Sequence, residues 1–353
     1  MNSVAKSLLM KKLFVLLFSL LTFSAYAAEA PADGEAFRPG DMIMHHVADE
    51  HKWEFAHGAE LYLPVILLDN GQLHVFSSRK FFNEHGEEVP YNGYVLQHGH
   101  IYKTSETGEP MEEYAGLYDF SITKNIASLF VSVALLLIIF FVIAGRYKKN
   151  AGKAPSGIQS FFEPIIIFVR DDIAKANIGP KYERYMPYLL TIFFFIWFNN
   201  MLGMMPGGAN LTGNIAVTLV LALMTLLITV FSGNKSYWGH IFATPGVPKW
   251  LAPIMIPVEL IGIFTKPFSL MIRLFANITA GHIIILSLFS LIFIFESLAV
   301  GPLSVAFAVF MNFLELFVAL LQAYIFTLLS AMYFGGAVEE HDHVEDMGYG
   351  DSH

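Results

Sequence analysis

Ionisable side chains interrupt the long apolar segments in the second half of the chain. Arg273 is the sharpest case, because apolar residues flank it on both sides within Ser269–Asn277. An arginine keeps its charge in proteins, and a charge inside a membrane is costly unless water or an opposite charge faces it. We therefore expect Arg273 to face water, a carboxylate or both. The other polar residues of interest in these segments are Glu259, Lys266, Asn277, His282, Glu315 and Gln322.

Helical spacing places several of these residues on the same face of a predicted helix, where they form a polar line. Lys266 and Arg273 are seven residues apart, and Asn277 follows one turn later, so the three share one face of a helix. Glu315 and Gln322 are also seven residues apart, which places them on one face of a later helix. We predict two membrane helices that each carry a polar line. For Lys266, snorkelling of the ammonium group to the membrane surface is the alternative.

His282 and Glu315 belong to different predicted helices and could form a pair. Each partner in such a pair stabilises the charged form of the other, and an imidazole next to a carboxylate can relay a proton near neutral pH. The alternative for His282 is a histidine whose ring is hydrogen-bonded to a backbone carbonyl.

Composition narrows the class of protein. The chain has 353 residues, of which 55% are hydrophobic and 14% charged, whereas soluble domains carry about 25% charged residues. Lipid is therefore an expected neighbour. A net charge of −9 argues against nucleic acid as a partner. The chain has no cysteine, which excludes disulfides and thiolate chemistry. No Walker-type phosphate loop occurs, so we expect no ATP hydrolysis by this chain.

The N-terminus has the pattern of a secretory signal peptide over residues 1–27. Basic residues precede the apolar run Leu13–Phe23, and Ala25-Tyr26-Ala27 supplies the small residues of a cleavage site. A short N-terminal membrane anchor is the alternative. In both cases we expect the following segment to be exported. The basic residues are Lys6, Lys11 and Lys12.

Residues 28–120 are polar and acidic and contain no long apolar run. Asn70-Gly71 lies between two alternating segments, which is a strong signal for a hairpin with a type I′ turn. A further alternating stretch runs from Tyr94 to Tyr102. We predict a mostly β, acidic, extracytoplasmic extension.

Apolar runs predict five transmembrane helices within residues 121–335. The first run, Ile126–Ala144, is long enough to cross about 30 Å of hydrocarbon. It ends in the basic cluster Arg146–Lys149, which belongs on the cytoplasmic side. An odd number of spans then places the acidic, histidine-rich tail, residues 336–353, in the cytoplasm. The other predicted spans are Tyr188–Met205, Asn214–Phe231 and two long spans within residues 250–299 and 303–334.

The two final runs are too long for one perpendicular crossing, so we expect two long tilted helices. Residues 156–184 mix apolar and charged side chains, which predicts an amphipathic helix along the membrane surface. The predicted fold class is an all-α polytopic membrane protein with a mostly β N-terminal extension.

Two motifs resemble subunit a of F-type ATP synthases. The run KPFSLMIRLFAN, Lys266–Asn277, followed by Ala280-Gly281-His282, is similar to the central motif of that family. The run LLQAYIFTLL, Leu320–Leu329, is similar to the motif of its last helix. The similarity covers roughly residues 120–335, and the two motifs occur in the family's order.

The resemblance implies a stationary proton-conducting subunit, which is not catalytic by itself and needs no cofactor. Proton flow through two half-channels would drive rotation and ATP synthesis on other subunits. Arg273 would be the essential arginine that faces the carboxylate of a rotor ring, and it lies on the first of the two long tilted helices that would face this ring. The residues implied to line the proton path are Glu259, Asn277, His282, Glu315, Gln322 and Asn214, with Asn199, Asn200 and Thr218 as further polar positions.

The resemblance also implies partners and a location. The partners would be the proteolipid subunits of the rotor ring, the peripheral-stalk subunit b and the whole complex, within membrane lipid. Together with the exported N-terminus, this predicts a bacterial cell inner membrane. In many relatives the position of His282 holds a glutamate and that of Glu315 a histidine, so the exchange here keeps one acid and one imidazole.

Some features depart from the family pattern. Neither the extension nor the histidine-rich tail belongs to the common core, and residues 204–209 lack the aspartates that some relatives have there.

Two other functions are alternatives. One is a secondary transporter of a small anionic solute, with Arg273 as its binding residue, although no internal symmetry supports it. The other is an anchored metal-binding protein, although no zinc-type spacing occurs, and we interpret its candidate ligands instead as part of a solvated, histidine-bearing surface. These candidate ligands are His45, His46, His51 and His57.

Overall fold

The structure is a computed structural model. It describes residues 48–339 apart from short gaps. The predicted signal peptide, the start of the extension, most of the predicted tail and the candidate ligands His45, His46 and His57 lie outside the described residues. The gaps are residues 57–58, 84–85, 98, 106–109, 112–115, 150–151, 153, 206, 243–248 and 296–299.

The extension folds into short antiparallel sheets, as predicted. In one sheet, β3 is central and pairs with β4 and β8. The side chain of Leu67 on β3 is buried in the same hydrophobic core as Phe81. The other two sheets have the orders β1-β2 and β5-β6-β7. The strands are β1 Lys52–Ala56, β2 Ala59–Tyr62, β3 Pro64–Asp69, β4 Gln72–Ser77, β5 Tyr94–Gln97, β6 His100–Thr104, β7 Pro110–Met111 and β8 Leu117–Asp119.

The predicted turns are present. Asn70 and Gly71 have φ values of 48° and 84° and join the paired residues Asp69 and Gln72, which is the geometry that a type I′ turn requires. The alternating stretch that begins at Tyr94 is a second hairpin, β5 and β6, which reverses at Gly99 with φ 79°.

Within the described residues, five helices are long and apolar enough to cross a membrane. This confirms a polytopic membrane protein. The helices are α1 Lys124–Lys149, α3 Met186–Gly203, α4 Ile215–Ser232, α6 Ala252–Phe295 and α7 Val300–Val338.

The last two helices are each continuous. Helix α6 has 44 residues and α7 has 39, and at 1.5 Å per residue both exceed about 55 Å. Hydrocarbon is about 30 Å thick, so neither helix fits upright within it. Helix α7 ends at Val338, beyond the predicted start of the tail at residue 336, because the helical hydrogen bonds continue past the glycine pair at its end.

Two shorter helices connect the spans. Helix α2, Ile158–Phe168, continues through a wider helical turn over Val169–Lys175. It buries Phe162 and Ile173 and exposes Phe161, which confirms the predicted amphipathic helix. Its position on the membrane surface stays a prediction. The sequence analysis did not predict helix α5, Lys235–Phe242.

The chain forms two compact units. Of the described residues, the first unit contains those from 48 to 139 together with 195–214 and 275–320, and the second contains those within 140–194, 215–274 and 321–339. Each unit has its own polar and aromatic contacts. In the second, the Tyr188 hydroxyl lies 2.8 Å from Thr225 Oγ1, and Phe334 stacks on Tyr185 with ring centroids 5.0 Å apart.

Candidate functional site

His282 and Glu315 meet between α6 and α7 in the first unit. His282 Nδ1 lies 3.5 Å from Glu315 Oε1, and the side chains are 16% and 5% exposed. Both carboxylate oxygens of Glu315 are buried, and no described residue donates a hydrogen bond to them. The predicted pairing of an imidazole with a carboxylate is therefore confirmed as geometry. A buried carboxylate whose nearest ionisable partner is a histidine can exchange a proton with it.

Gly281 allows this close arrangement, and Gly203 lies beside the imidazole. A Cβ atom on Gly281 would lie 2.9 Å from Glu315 Oε1, so the carboxylate packs directly against the backbone of α6. A Cβ atom on Gly203, the last residue of α3, would lie 3.9 Å from His282 Nε2. The imidazole is thus enclosed by α3 on one side and by Glu315 on another.

A buried amide joins the elements around the pair. Asn200 Oδ1 accepts a hydrogen bond of 2.6 Å from Thr212 Oγ1, and Asn200 Nδ2 donates one of 3.3 Å to the carbonyl of Ala319. Asn200 therefore fastens α3 both to the turn before α4 and to α7. Asn214 follows this turn and is partly exposed. These bonds give Asn200 a structural role, whether or not protons pass it.

Arg273 is partly exposed on α6, in the second unit. Among the residues that the structure describes, no carboxylate lies within 4.0 Å of its guanidinium. Lys266 and Asn277, which share the predicted line, are exposed, and Glu259 is half-buried. Gln322 is only 1% exposed on α7. The line on α6 is therefore an open polar face with an arginine that has no acidic partner in the described chain.

A pocket of about 280 Å³ opens within the second unit. Lys266 Nζ lies 5.7 Å from the centre of the Tyr333 ring. Burial and the negative charge of Glu259 raise the pKa of Tyr237. The polar residues that line the pocket are Thr229, Ser236, Tyr237, His240, Glu259, Lys266, Tyr333 and Glu339.

Among the pocket residues that the sequence analysis missed are Tyr237, His240 and Tyr333. A signal for Tyr333 exists, because it follows Gln322 by eleven residues, which is three helical turns. It therefore continues the polar line of α7. No comparable signal marks Tyr237 and His240, because α5 is a short helix outside the spans.

The interpretation of the histidines of the N-terminal extension as a solvated surface is wrong for His51. Its side chain is 2% exposed, and Nε2 lies 3.7 Å from Asp119 Oδ2. The residue follows Glu50, whose carbonyl accepts a hydrogen bond from the backbone N–H of Lys124 at the start of α1, and its own carbonyl accepts bonds from Leu63 and Ser78. The described residues contain no group of three potential metal ligands.

Comparison with known families decides the classification. The sequence model of the ATP synthase A chain matches residues 126–335. The chain belongs to the ATP synthase subunit a family. It is thus a proton-conducting membrane subunit of the F-type ATP synthase, and nothing in the comparisons favours a transporter. The match begins at α1, so the β extension lies outside the common subunit a core, as expected.

Several subunit a relatives are similar over most of their length. The ATP synthase subunit a of Chlorobium phaeobacteroides (strain DSM 266) is 40% identical over 336 residues, covering 92% of this chain and 84% of the relative. That of Chloroherpeton thalassium is 47% identical over 245 residues, covering 67% and 73%. That of Anaeromyxobacter sp. (strain Fw109-5) is 40% identical over 319 residues, covering 87% and 72%.

The β extension matches a family of its own. A sequence model of a domain of unknown function (DUF8433) covers residues 42–120. The extension is thus a recognisable domain that precedes the subunit a core.

Proposed function

We propose that Arg273 is the fixed charge that meets the rotor carboxylates of this ATP synthase. The observation that supports this is the absence of an acidic partner for Arg273 among the described residues. A permanently charged group within a membrane helix needs water or a counter-charge. A carboxylate on a neighbouring ring of proteolipid subunits would supply that counter-charge as each copy passes.

We further propose that the buried pair belongs to the outer half-channel. The basic cluster after α1 is expected in the cytoplasm, so α6 runs outward and α7 runs inward. His282 and Glu315 then fall in the extracytoplasmic parts of their helices, with Asn214 at the start of α4. The imidazole and carboxylate together give an incoming proton two neighbouring binding groups, between which it can be passed on.

The pocket around Glu259 suits the inner half-channel. Glu259 lies near the start of α6, on the side expected to face the cytoplasm, and the pocket that it lines also holds His240 and Tyr237. Asn277 and Gln322 would complete the path as neutral polar groups on the two long helices. A proton released near Arg273 would leave through this pocket.

The direction of transfer follows from electrostatics. A rotor carboxylate within lipid is stable only when protonated, because an unpaired buried charge is costly. Next to Arg273 the carboxylate form is favoured, and the proton departs. The same fixed positive charge repels a proton that would pass directly from one half-channel to the other. Each elementary charge that crosses about 100 mV releases roughly 2.3 kcal/mol, which drives rotation.

The partners and location follow the same proposal. The chain would contact the rotor ring and the peripheral-stalk subunit b in a bacterial cell inner membrane, with its N-terminus exported and its C-terminus cytoplasmic. ATP is formed on other subunits, so this chain acts without catalysing a reaction itself.

Replacement of Arg273 tests the proposal. In inverted membrane vesicles, Arg273→Ala should abolish ATP-driven proton pumping while the complex still assembles. The matched control is Arg170→Ala, which removes an arginine that pairs with Asp171 outside the spans and should pump normally. Normal pumping by Arg273→Ala would show that the fixed charge is not needed and would overturn the proposal.

A further inference from the structure

The β extension is fastened to the first membrane helix. The carboxylate of Asp49 accepts a 3.0 Å hydrogen bond from the backbone N–H of Asn125 and a 2.8 Å bond from Thr123 Oγ1. The backbone N–H of Lys124 donates to the carbonyl of Glu50 at 2.8 Å. Since these donors lie at the start of α1, the extension caps that helix, and its first strand is held against the membrane domain.

Strand β1 also reaches the α3–α4 loop, residues 207–214. The indole Nε1–H of Trp53 donates a 2.6 Å hydrogen bond to the carbonyl of Gly207. The Trp53 ring is 8% exposed and packs with Leu63, with Ala209 of the loop and with Ala127 of α1. Trp53 is thus inserted between a membrane helix and the loop, where it contacts both.

Two glycines in the loop, Gly207 and Gly208, make this close contact possible. Gly207 has φ 69°, and a Cβ atom there would lie 2.6 Å from the Cα of Phe55. A Cβ atom on Gly208 would overlap the carbonyl oxygen of Leu202 on α3. Only glycines allow the chain to pass so closely between β1 and the end of α3. Residues 207–209 belong to the stretch that lacks the aspartates of some relatives. In this protein, their backbone packs against the extension.

The same loop borders the buried pair. A Cβ atom on Gly203 would meet the carbonyl oxygen of Ala209 at 3.4 Å and His282 Nε2 at 3.9 Å. Ala209 therefore packs with Trp53 on one side and lies beside Gly203 on the other. Gly203 in turn lies beside the ring of His282. A series of neighbouring residues therefore leads from Trp53 of the extension through Ala209 and Gly203 to the imidazole that faces Glu315.

We infer that the β extension is a positioning domain for the outer half-channel, in which Trp53 holds the α3–α4 loop beside the His282–Glu315 pair. This inference rests on the proposed role of that pair in proton access. The domain family that covers the extension then has a function here, which is to set the wall of the route that protons take to His282. Trp53 is a positioning residue, because it acts through the loop.

The test uses the assembled complex and two readouts. The first is the reaction of Leu211→Cys with a membrane-impermeant maleimide added from the extracytoplasmic side. Leu211 is 1% exposed in the loop, and the chain has no other cysteine. In the parent chain the thiol should be protected. With Trp53→Ala we expect it to react at least tenfold faster, because the loop is released.

The second readout is passive proton conductance after removal of the catalytic sector. Trp53→Phe keeps a ring in the cluster but has no N–H donor. We expect this variant to have about fivefold lower proton conductance, which corresponds to the loss of one hydrogen bond of about 1 kcal/mol. Trp53→Ala should lower conductance further. The matched control is Tyr118→Phe, which removes a polar donor from an aromatic residue of the same domain that is 59% exposed and should conduct normally.

The outcomes separate this inference from the proposed function. Protection of Leu211→Cys in the Trp53→Ala background would overturn the inference, and so would faster labelling with parental conductance. Glu315→Gln reports on the pair itself. If Glu315→Gln conducts normally, the proposed role of the pair is wrong, and the labelling result still decides whether the extension holds the loop.

Discussion

Replacement of Gly281 by alanine tests the geometry of the buried pair directly. The new methyl carbon would lie 2.9 Å from Glu315 Oε1, whereas ordinary contacts begin at 3.4 Å, so the carboxylate must withdraw by about 0.5 Å. Because His282 is on the same helix as residue 281, this withdrawal lengthens the 3.5 Å separation of Nδ1 and Oε1 to about 4.0 Å.

The expected effect is modest and calculable. With an effective dielectric constant of about 20, the attraction between the two charged groups weakens by about 0.6 kcal/mol, which is roughly a threefold loss in the rate of proton conduction. Folding should not suffer, because alanine is favoured over glycine within a helix by about 1 kcal/mol. The displaced atoms are also the end of a flexible side chain.

The assay is passive proton conductance of membranes from which the catalytic sector has been removed, at matched amounts of assembled complex. Gly301→Ala on α7 is the control, since a Cβ atom there meets nothing within 4 Å. Equal conductance of the two variants would refute the reasoning that the separation within the pair limits proton transfer. A complete loss in Gly281→Ala, with normal assembly, would show that the distance estimate is wrong.

Three further predictions concern charge and capping. His282→Glu and Glu315→His should each lower ATP-driven pumping, and the double exchange should recover part of it, because one acid and one imidazole are restored; a double variant no better than the single ones would contradict this. Asp49→Ala should reduce stability by about 1 kcal/mol through loss of the helix cap, measured by protease resistance of the complex, with Glu87→Ala on an exposed turn as the control. Burial raises the pKa of Asp119, but the nearby imidazole of His51 and the hydrogen bond from the backbone N–H of Ser121 outweigh this and lower it below 3.8. Asp119 therefore adds stability above pH 3.8 that is lost as the pH falls through its folded pKa; Asp119→Asn should remove this acid dependence in denaturation curves, and an unchanged curve would refute it.

The spans were predictable because hydrocarbon imposes a simple requirement. A helix satisfies its own backbone hydrogen bonds, so an apolar run of sufficient length can only be a span or a buried helix. The predicted second span, Tyr188–Met205, differs from α3 by two residues at each end. The Asn70-Gly71 turn was equally readable, since few sequences tolerate two successive positive φ values.

The candidate site was readable in part for a related reason. Charge within an apolar run is rare, so Arg273, His282 and Glu315 are conspicuous in the sequence alone. Tyr237 and His240 are not, because aromatic and histidine residues on a short helix outside the spans carry no such signal.

Sequence by itself determined the membrane class, the number of spans, the family and the residues with unusual charge, because each depends on local composition or on a short motif. Tertiary structure alone decided how close those residues come. The 3.5 Å approach of His282 to Glu315, the absence of a described acidic partner for Arg273 and the bond from Trp53 to Gly207 all depend on segments far apart in the chain. Such contacts arise from the packing of whole helices and strands. The need for glycine at a position such as 207 or 281 is likewise evident only when the atoms that a Cβ atom would meet are known.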